Sequence, residues 1–280
     1  MKNIFLLLVT VFLLSACVKD ANNVDLPEID PKLVTQSFLT EDEDNIIVYL
    51  TWSSPIFGTF DYDFETVKNA DVFVSNNGNK IKFNYYFDSN KQESYYTASA
   101  ASLTMKSGEK FNLEITDSTG NKVTSTTIIP EKPIYSAKLI SMDSALSQYD
   151  DKEYSYHIEF QGNNSNDINY YYPIIIGYGH YYSNQQDSVV LRDNSRNSPY
   201  VKANKGETIN LVFDSYMLLD SMKLIVLHTD EAYYYYHKSI YNFDGGDNPF
   251  SEPVIIYSNI ENGLGVFCSY NTDIQKIPIK

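Results

Sequence analysis

Residues 110–129 read KFNLEITDSTGNKVTSTTII, and their spacing decides the fold class. Phe111, Leu113 and Ile115 alternate with Asn112, Glu114 and Thr116, so a pleated strand carries one apolar face and one wet face. DSTGN supplies turn chemistry, and a second alternating run follows it. The device recurs upstream in ADVFVSNNGNKIKFNYYF (70–87), where Asn77-Gly78 offers positive-φ residues between two strands. Further upstream, NIIVYLTW (45–52) aligns Ile46, Val48, Leu50 and Trp52 on one face, and KLVTQSFL (32–39) precedes it across the acidic turn TEDED. Roughly seven strands before residue 130 predict an immunoglobulin-like β-sandwich over residues 32–130.

PEKP at 130–133 reads as a joint. Strand patterns then resume in IYSAKLISMD, EYSYHIEFQ, INYYYPIIIGYGHYY, DSVVLRD, TINLVFD, KLIVLHT, EPVIIYS and LGVFCSY. Strands without crossover helices predict antiparallel pairing. The expected architecture is therefore all-β: two antiparallel β-sandwich-like domains, the second spanning residues 134–280.

One helix is expected, over residues 230–243. Thr229 has the form of an N-cap before Asp230-Glu231, and Tyr233, Tyr236, Ile240 and Phe243 fall on one stripe at helical spacing. Asp244-Gly245-Gly246 stops it. Tyr235 and His237 lie off the stripe, toward solvent.

Composition agrees: 25 Tyr and 15 Phe in 280 residues suit half-buried strand faces. A formal charge of −15 without any basic run argues against a nucleic-acid partner.

The N-terminus carries a different signal. Lys2 precedes an apolar run from Ile4 to Leu14, too short to span a bilayer, and Leu14-Ser15-Ala16-Cys17 matches a lipobox. Residues 1–16 are thus expected to be a lipoprotein signal peptide and Cys17 the acylated residue. Residues 17–31 are expected to form a lipidated polar tether, of which residues 18–31 reach at most about 50 Å. Lys19-Asp20 resembles the lysine-plus-acid signal that sends Bacteroidota lipoproteins to the exterior of the outer membrane. Cys268, with apolar neighbours, reads as a buried, inert thiol without a disulfide partner.

Catalytic patterns are not found. The four histidines, His157, His180, His228 and His237, lack zinc-protease spacing, and no nucleophile elbow, phosphate loop or dinucleotide fingerprint occurs. EDED at 41–44 reads as a solvated turn, and NFDGGDN lacks the spacing of a calcium loop. No metal or cofactor is expected. Candidate ligand-facing aromatics are Tyr170, Tyr171, Tyr172, Tyr181, Tyr182 and Tyr235, with His237. Asp-Ser followed by a small, apolar or Thr residue resembles a Bacteroidota O-glycosylation sequon at Ser118, Ser144, Ser188 and Ser221.

NPFSEPVIIYSNIENGLGVFCSY, near the C-terminus, resembles the closing signature of the Bacteroidota lipoprotein family called domain of unknown function 4249. VDLPEIDPKLV, WSSPIFG, ADVFVSNNGN and the tyrosine-rich segment fit the same family in order. Cys268 departs from the small residue common there. The resemblance implies an outer-membrane lipoprotein, commonly encoded beside a TonB-dependent transporter, with no established enzymatic activity and no catalytic residues to carry over. The leading expectation is a non-enzymatic binding or accessory subunit for nutrient capture, with a glycan or peptide as ligand. A structural or adhesive surface lipoprotein is the alternative, and a glycan hydrolase the third reading.

Overall fold

In the computed structural model the first strands form where the alternation places them. They are β1 (Leu33–Leu39), β2 (Asn45–Trp52), β3 (Asp71–Asn76), β4 (Asn79–Asp88), β5 (Glu93–Ser99), β6 (Lys110–Thr116) and β7 (Lys122–Ile128). The structure describes residues 30–54, 66–146, 152–180, 188–192, 199–243 and 255–279. Strand order β1-β2-β5-β4-β3-β6-β7 is the connectivity of an immunoglobulin-like sandwich. Strand β4 serves both layers, pairing through Asn79–Phe83 with β3 and through Asn84–Asp88 with β5. The β3–β4 turn has φ of 45° at Asn77 and 87° at Gly78. Phe111, Leu113 and Ile115 of β6 meet Ile46, Val48 and Leu50 of β2 in the first core.

The second half contributes β8 (Tyr135–Leu146), β9 (Lys152–Gly162), β10 (Ile168–His180), β11 (Ser188–Arg192), β12 (Val201–Asn204), β13 (Thr208–Ser215), β14 (Leu219–Thr229), helix α1 (Glu231–Tyr241) and β15 (Leu264–Pro278). A three-stranded sheet β13-β9-β8 covers the sheet formed by β10, β14 and β15. Between them lies a second core, in which Tyr156, Phe160 and Phe213 face Tyr171, Leu224 and Ile277. The protein is thus all-β and sandwich-like, with one α-helix among the described residues.

Three expectations need correction. Residues 255–260 are irregular, with Ile255 88% exposed, so no strand forms in the described part of EPVIIYS. Pairing is not wholly antiparallel, because Leu264–Ser269 of β15 runs parallel to Val34–Leu39 of β1. The cap of α1 is Asp230, not Thr229: Thr229 ends β14, and the Asp230 carboxylate accepts the Tyr233 N–H at 2.8 Å.

The parallel pair bridges the two halves. Residues 264–269 of β15 bond to β1, and Tyr270–Pro278 bond to β14, so one twelve-stranded sheet runs through both. Strand β15 also serves every core: Phe267 enters the first, Ile277 the second, and Val266 with Cys268 the one beneath α1. The hand-over point is pinned by polar groups. Ser269 Oγ donates to the Ile128 carbonyl, and Asn271 Nδ2 donates to the Pro130 carbonyl at 2.7 Å and to Glu41 Oε1 at 3.2 Å. PEKP is fastened as well. The Glu131 carbonyl accepts His228 Nδ1–H at 2.7 Å, and the Lys132 carbonyl accepts Asn164 Nδ2.

Candidate functional site

The tyrosine-rich helix lies on the outer face of the sheet, opposite both sandwich cores. Outward positions of β1 and β10 meet it: Gln36 Nε2 donates to Tyr236 Oη, and Tyr170 lies 5.0 Å from Tyr234 between ring centroids. Tyr233 stacks on His237 at 4.0 Å, with Phe38 at 5.9 Å and Tyr270 at 5.7 Å from Tyr233. The expected stripe holds at Tyr233 and Tyr236, which are buried. It fails at Ile240 and Phe243, which lie 44% and 48% exposed near the helix end, and Tyr234 is buried in their stead. The reason is that α1 lies in a layer of rings, so Tyr234 is taken up by β10 on the flank of the stripe. The Asp244-Gly245-Gly246 stop lies outside the described residues.

Beside α1 a groove of about 330 Å³ opens, lined by Phe38, Ile47, Tyr49, Leu227, Tyr233, His237 and Tyr270, with Glu43 at the β1–β2 turn. Its size suits a side chain or a small ligand. His237 is not turned freely to solvent. Its Nδ1 lies 3.0 Å from the Tyr233 carbonyl, which only an N–H can satisfy, so Nε2 carries the lone pair. Burial holds its pKa below the ordinary histidine value, which keeps the ring neutral near pH 7.

The candidate aromatics separate by strand parity. Tyr170 and Tyr172 point to the helix side of β10, where Tyr172 packs on Tyr200 at 4.8 Å. Tyr171 points the other way and is 1% exposed, so the ligand-facing reading is corrected there: it is core, donating to Asn164 Oδ1 and stacked on His228. Tyr235 receives a hydrogen bond from Lys202 Nζ at 3.1 Å, and Tyr170 donates to Glu231. Tyr181 and Tyr182 lie outside the described residues, as do Cys17, Lys19 and Asp20.

Of the sequon serines, Ser118 is exposed in a turn organised by Asp117, whose carboxylate accepts from Thr119 and Asn121. Ser144 and Ser221 are exposed on β8 and β14, and Ser188 opens β11. Glu41 corrects the reading of EDED as wholly solvated, because it accepts the Ser107 N–H at 2.6 Å and the Ser107 hydroxyl at 2.7 Å. Cys268 is fully buried, and desolvation holds its thiol far from ionisation. Among the described residues no group of three or more His, Cys, Asp or Glu side chains is arranged to hold a metal.

Phe38, Ile47, Tyr49, Leu227 and Tyr270 were not singled out from the sequence. Outward strand positions look solvated in the alternation pattern, and only the docking of α1 makes them a wall.

The match that decides the family covers residues 20–276, with the family described as Domain of unknown function (DUF4249). The chain belongs to this family. The matched span takes in every strand except the last residues of β15, so the DUF4249 unit comprises both halves and the shared strand. No curated protein matched the chain. No helix among the described residues is long and apolar enough to cross a membrane.

The cap of α1 makes a pH prediction. The Asp230 carboxylate accepts from Thr127 Oγ1 at 2.5 Å and from the Tyr233 N–H, and burial pushes its pKa up to about 6. A folded-state pKa above the ordinary 3.8 means that the folded protein holds this proton more tightly than the unfolded chain. The stability due to Asp230 is therefore full below about pH 4 and is lost as pH rises through about 6. Asp230→Asn keeps an acceptor for the cap and removes the buried charge. The variant should be more stable than the parent at pH 7.5, by about 1–3 kcal/mol, and less so at pH 4. Thermal unfolding across that range checks it, and equal shifts at both pH values would refute the assignment.

Proposed function

We propose that the protein is a lipid-anchored binding or accessory subunit that presents ligands to an outer-membrane, TonB-dependent uptake barrel, and that it is not an enzyme. The observation that carries this reading is the open aromatic groove beside α1, built over the strand that both sandwiches share. Aromatic walls bind by contact area and stacking, with little ordering cost because tyrosine has few rotatable bonds. The lipobox at Cys17 and the Lys19-Asp20 pair support a tether on the outer face of the outer membrane, within reach of such a barrel. Tethering would act through effective concentration and not through new contacts.

Changing Cys17→Ala should release the protein into the soluble periplasmic fraction with the thermal unfolding of the body unchanged. Affinity capture of the parent in mild detergent should recover a large outer-membrane barrel. Recovery of the protein alone would remove the accessory reading, and continued membrane association of Cys17→Ala would remove the anchor.

A further inference from the structure

Charge around the groove is one-sided. Its eight lining residues include Glu43 and no Lys or Arg. Of the neighbouring acids, Glu41 is committed to Ser107 and Asn271, and Asp42 to Lys132 at 3.6 Å. The exposed Glu43 side chain, by contrast, forms no hydrogen bond or ion pair among the described residues. After burial itself, Glu43 and Asp42 are the charges felt most by the Tyr270 phenol, and Glu93 is the charge felt most by Tyr49. Glu43, on the β1–β2 turn, is the carboxylate that the lining itself carries. His237, which lines the groove and is kept neutral by burial, adds no positive charge.

An anion in this groove would meet Glu43 and no cation of the lining. A wholly apolar group would make no use of Glu43, the charged residue of the lining. A cation lying over tyrosine faces and bonded to a carboxylate uses every feature, since ring quadrupoles attract positive charge. The excess acidity of the whole chain, −15 formally, favours the approach of cations over anions.

We propose that this groove binds a guanidinium or ammonium group carried on a short apolar stem. This deepens the capture reading and rests on it. The apolar stem would lie along Phe38, Ile47 and Leu227, and the charged head would reach Glu43 between Tyr49 and Tyr270. A basic peptide side chain and a free organic amine share this chemistry.

The test uses the full-length protein in detergent micelles and isothermal titration calorimetry at low salt. The probes are N-acetyl-arginyl-leucine amide, its citrulline counterpart, which is neutral and nearly isosteric, and agmatine. The arginine peptide should bind about tenfold more tightly than the citrulline peptide. Glu43→Gln should weaken the arginine peptide about fivefold and leave the citrulline peptide unchanged. Because Glu43 is exposed and unpaired, this variant is expected to fold, and an unchanged melting curve verifies that. Tyr49→Ser, at a rim position 36% exposed, should weaken the arginine peptide without unfolding the core. Agmatine binding as tightly as the arginine peptide assigns the ligand to free amines, and weaker agmatine binding assigns it to peptides; either supports the cation site. Equal affinity for arginine and citrulline, no binding of either peptide, or indifference to Glu43→Gln overturns it. Capture of a barrel partner does not depend on Glu43, so that result and this one fail separately.

Discussion

Gly265→Ala should destabilise the protein by about 4 kcal/mol or more, a fall in melting temperature on the order of 10 °C for a body of this size. Gly265 has φ of 100°, a region that costs an L-residue dearly, and a Cβ built there would stand 1.9 Å from the Thr35 carbonyl oxygen. The obstacle is backbone, so no side chain can swing aside. Gly265 is also in register with Thr35 in the parallel β1–β15 pair, so relief of the clash must part the strands that join the two halves. Gly108 supplies the control. Its φ is 82°, but nothing lies within 4 Å of a Cβ there. Gly108→Ala should therefore cost only the backbone term, about 1 kcal/mol. Thermal or urea unfolding of both variants measures the difference, and equal costs would show that the close approach at Thr35 is not what demands glycine.

A chain ending at Gly263 should lose cooperative unfolding in both halves, and residues 32–133 alone should fail to fold stably. Removing β15 deletes Phe267 from the first core, Ile277 from the second, and Val266 with Cys268 from the layer beneath α1. At about 1.5–3 kcal/mol for each large buried side chain, the apolar loss is roughly 5–10 kcal/mol. That is comparable with the whole stability of a typical domain. The deletion also opens the edges of β1 and β14, two long strands whose unpaired amides would invite aggregation. Calorimetry of the parent should show one transition. Two separable transitions, or a cooperative melt from residues 32–133 alone, would mean that each sandwich is self-sufficient despite the shared strand.

Strand identity in the first half was written locally. The alternation in β2 and β6, and the Asn77-Gly78 turn, depend only on pleat geometry and turn sterics, and each appears in the structure as read. The helix was legible for the same reason, down to the acidic residue at its start, although whether Thr229 or Asp230 caps it depends on where β14 ends. Parity along β10 likewise separates Tyr171 from Tyr170 and Tyr172, but sequence does not say which parity faces the core. That depends on which side the β13-β9-β8 sheet covers. The same limit hid the groove. Phe38, Tyr49 and Tyr270 sit on the outward faces of β1, β2 and β15, far apart in the chain, and become one wall only when α1 docks across them. The parallel join of β1 to β15 lies further still from local reading, for it pairs residues more than two hundred positions apart. Short-range periodicity and turn chemistry thus determined the elements and their faces. Their partners, the single sheet through both halves and the groove beside α1 were decided by tertiary packing, because pairing energy depends on which faces meet and no spacing within one strand records its neighbour.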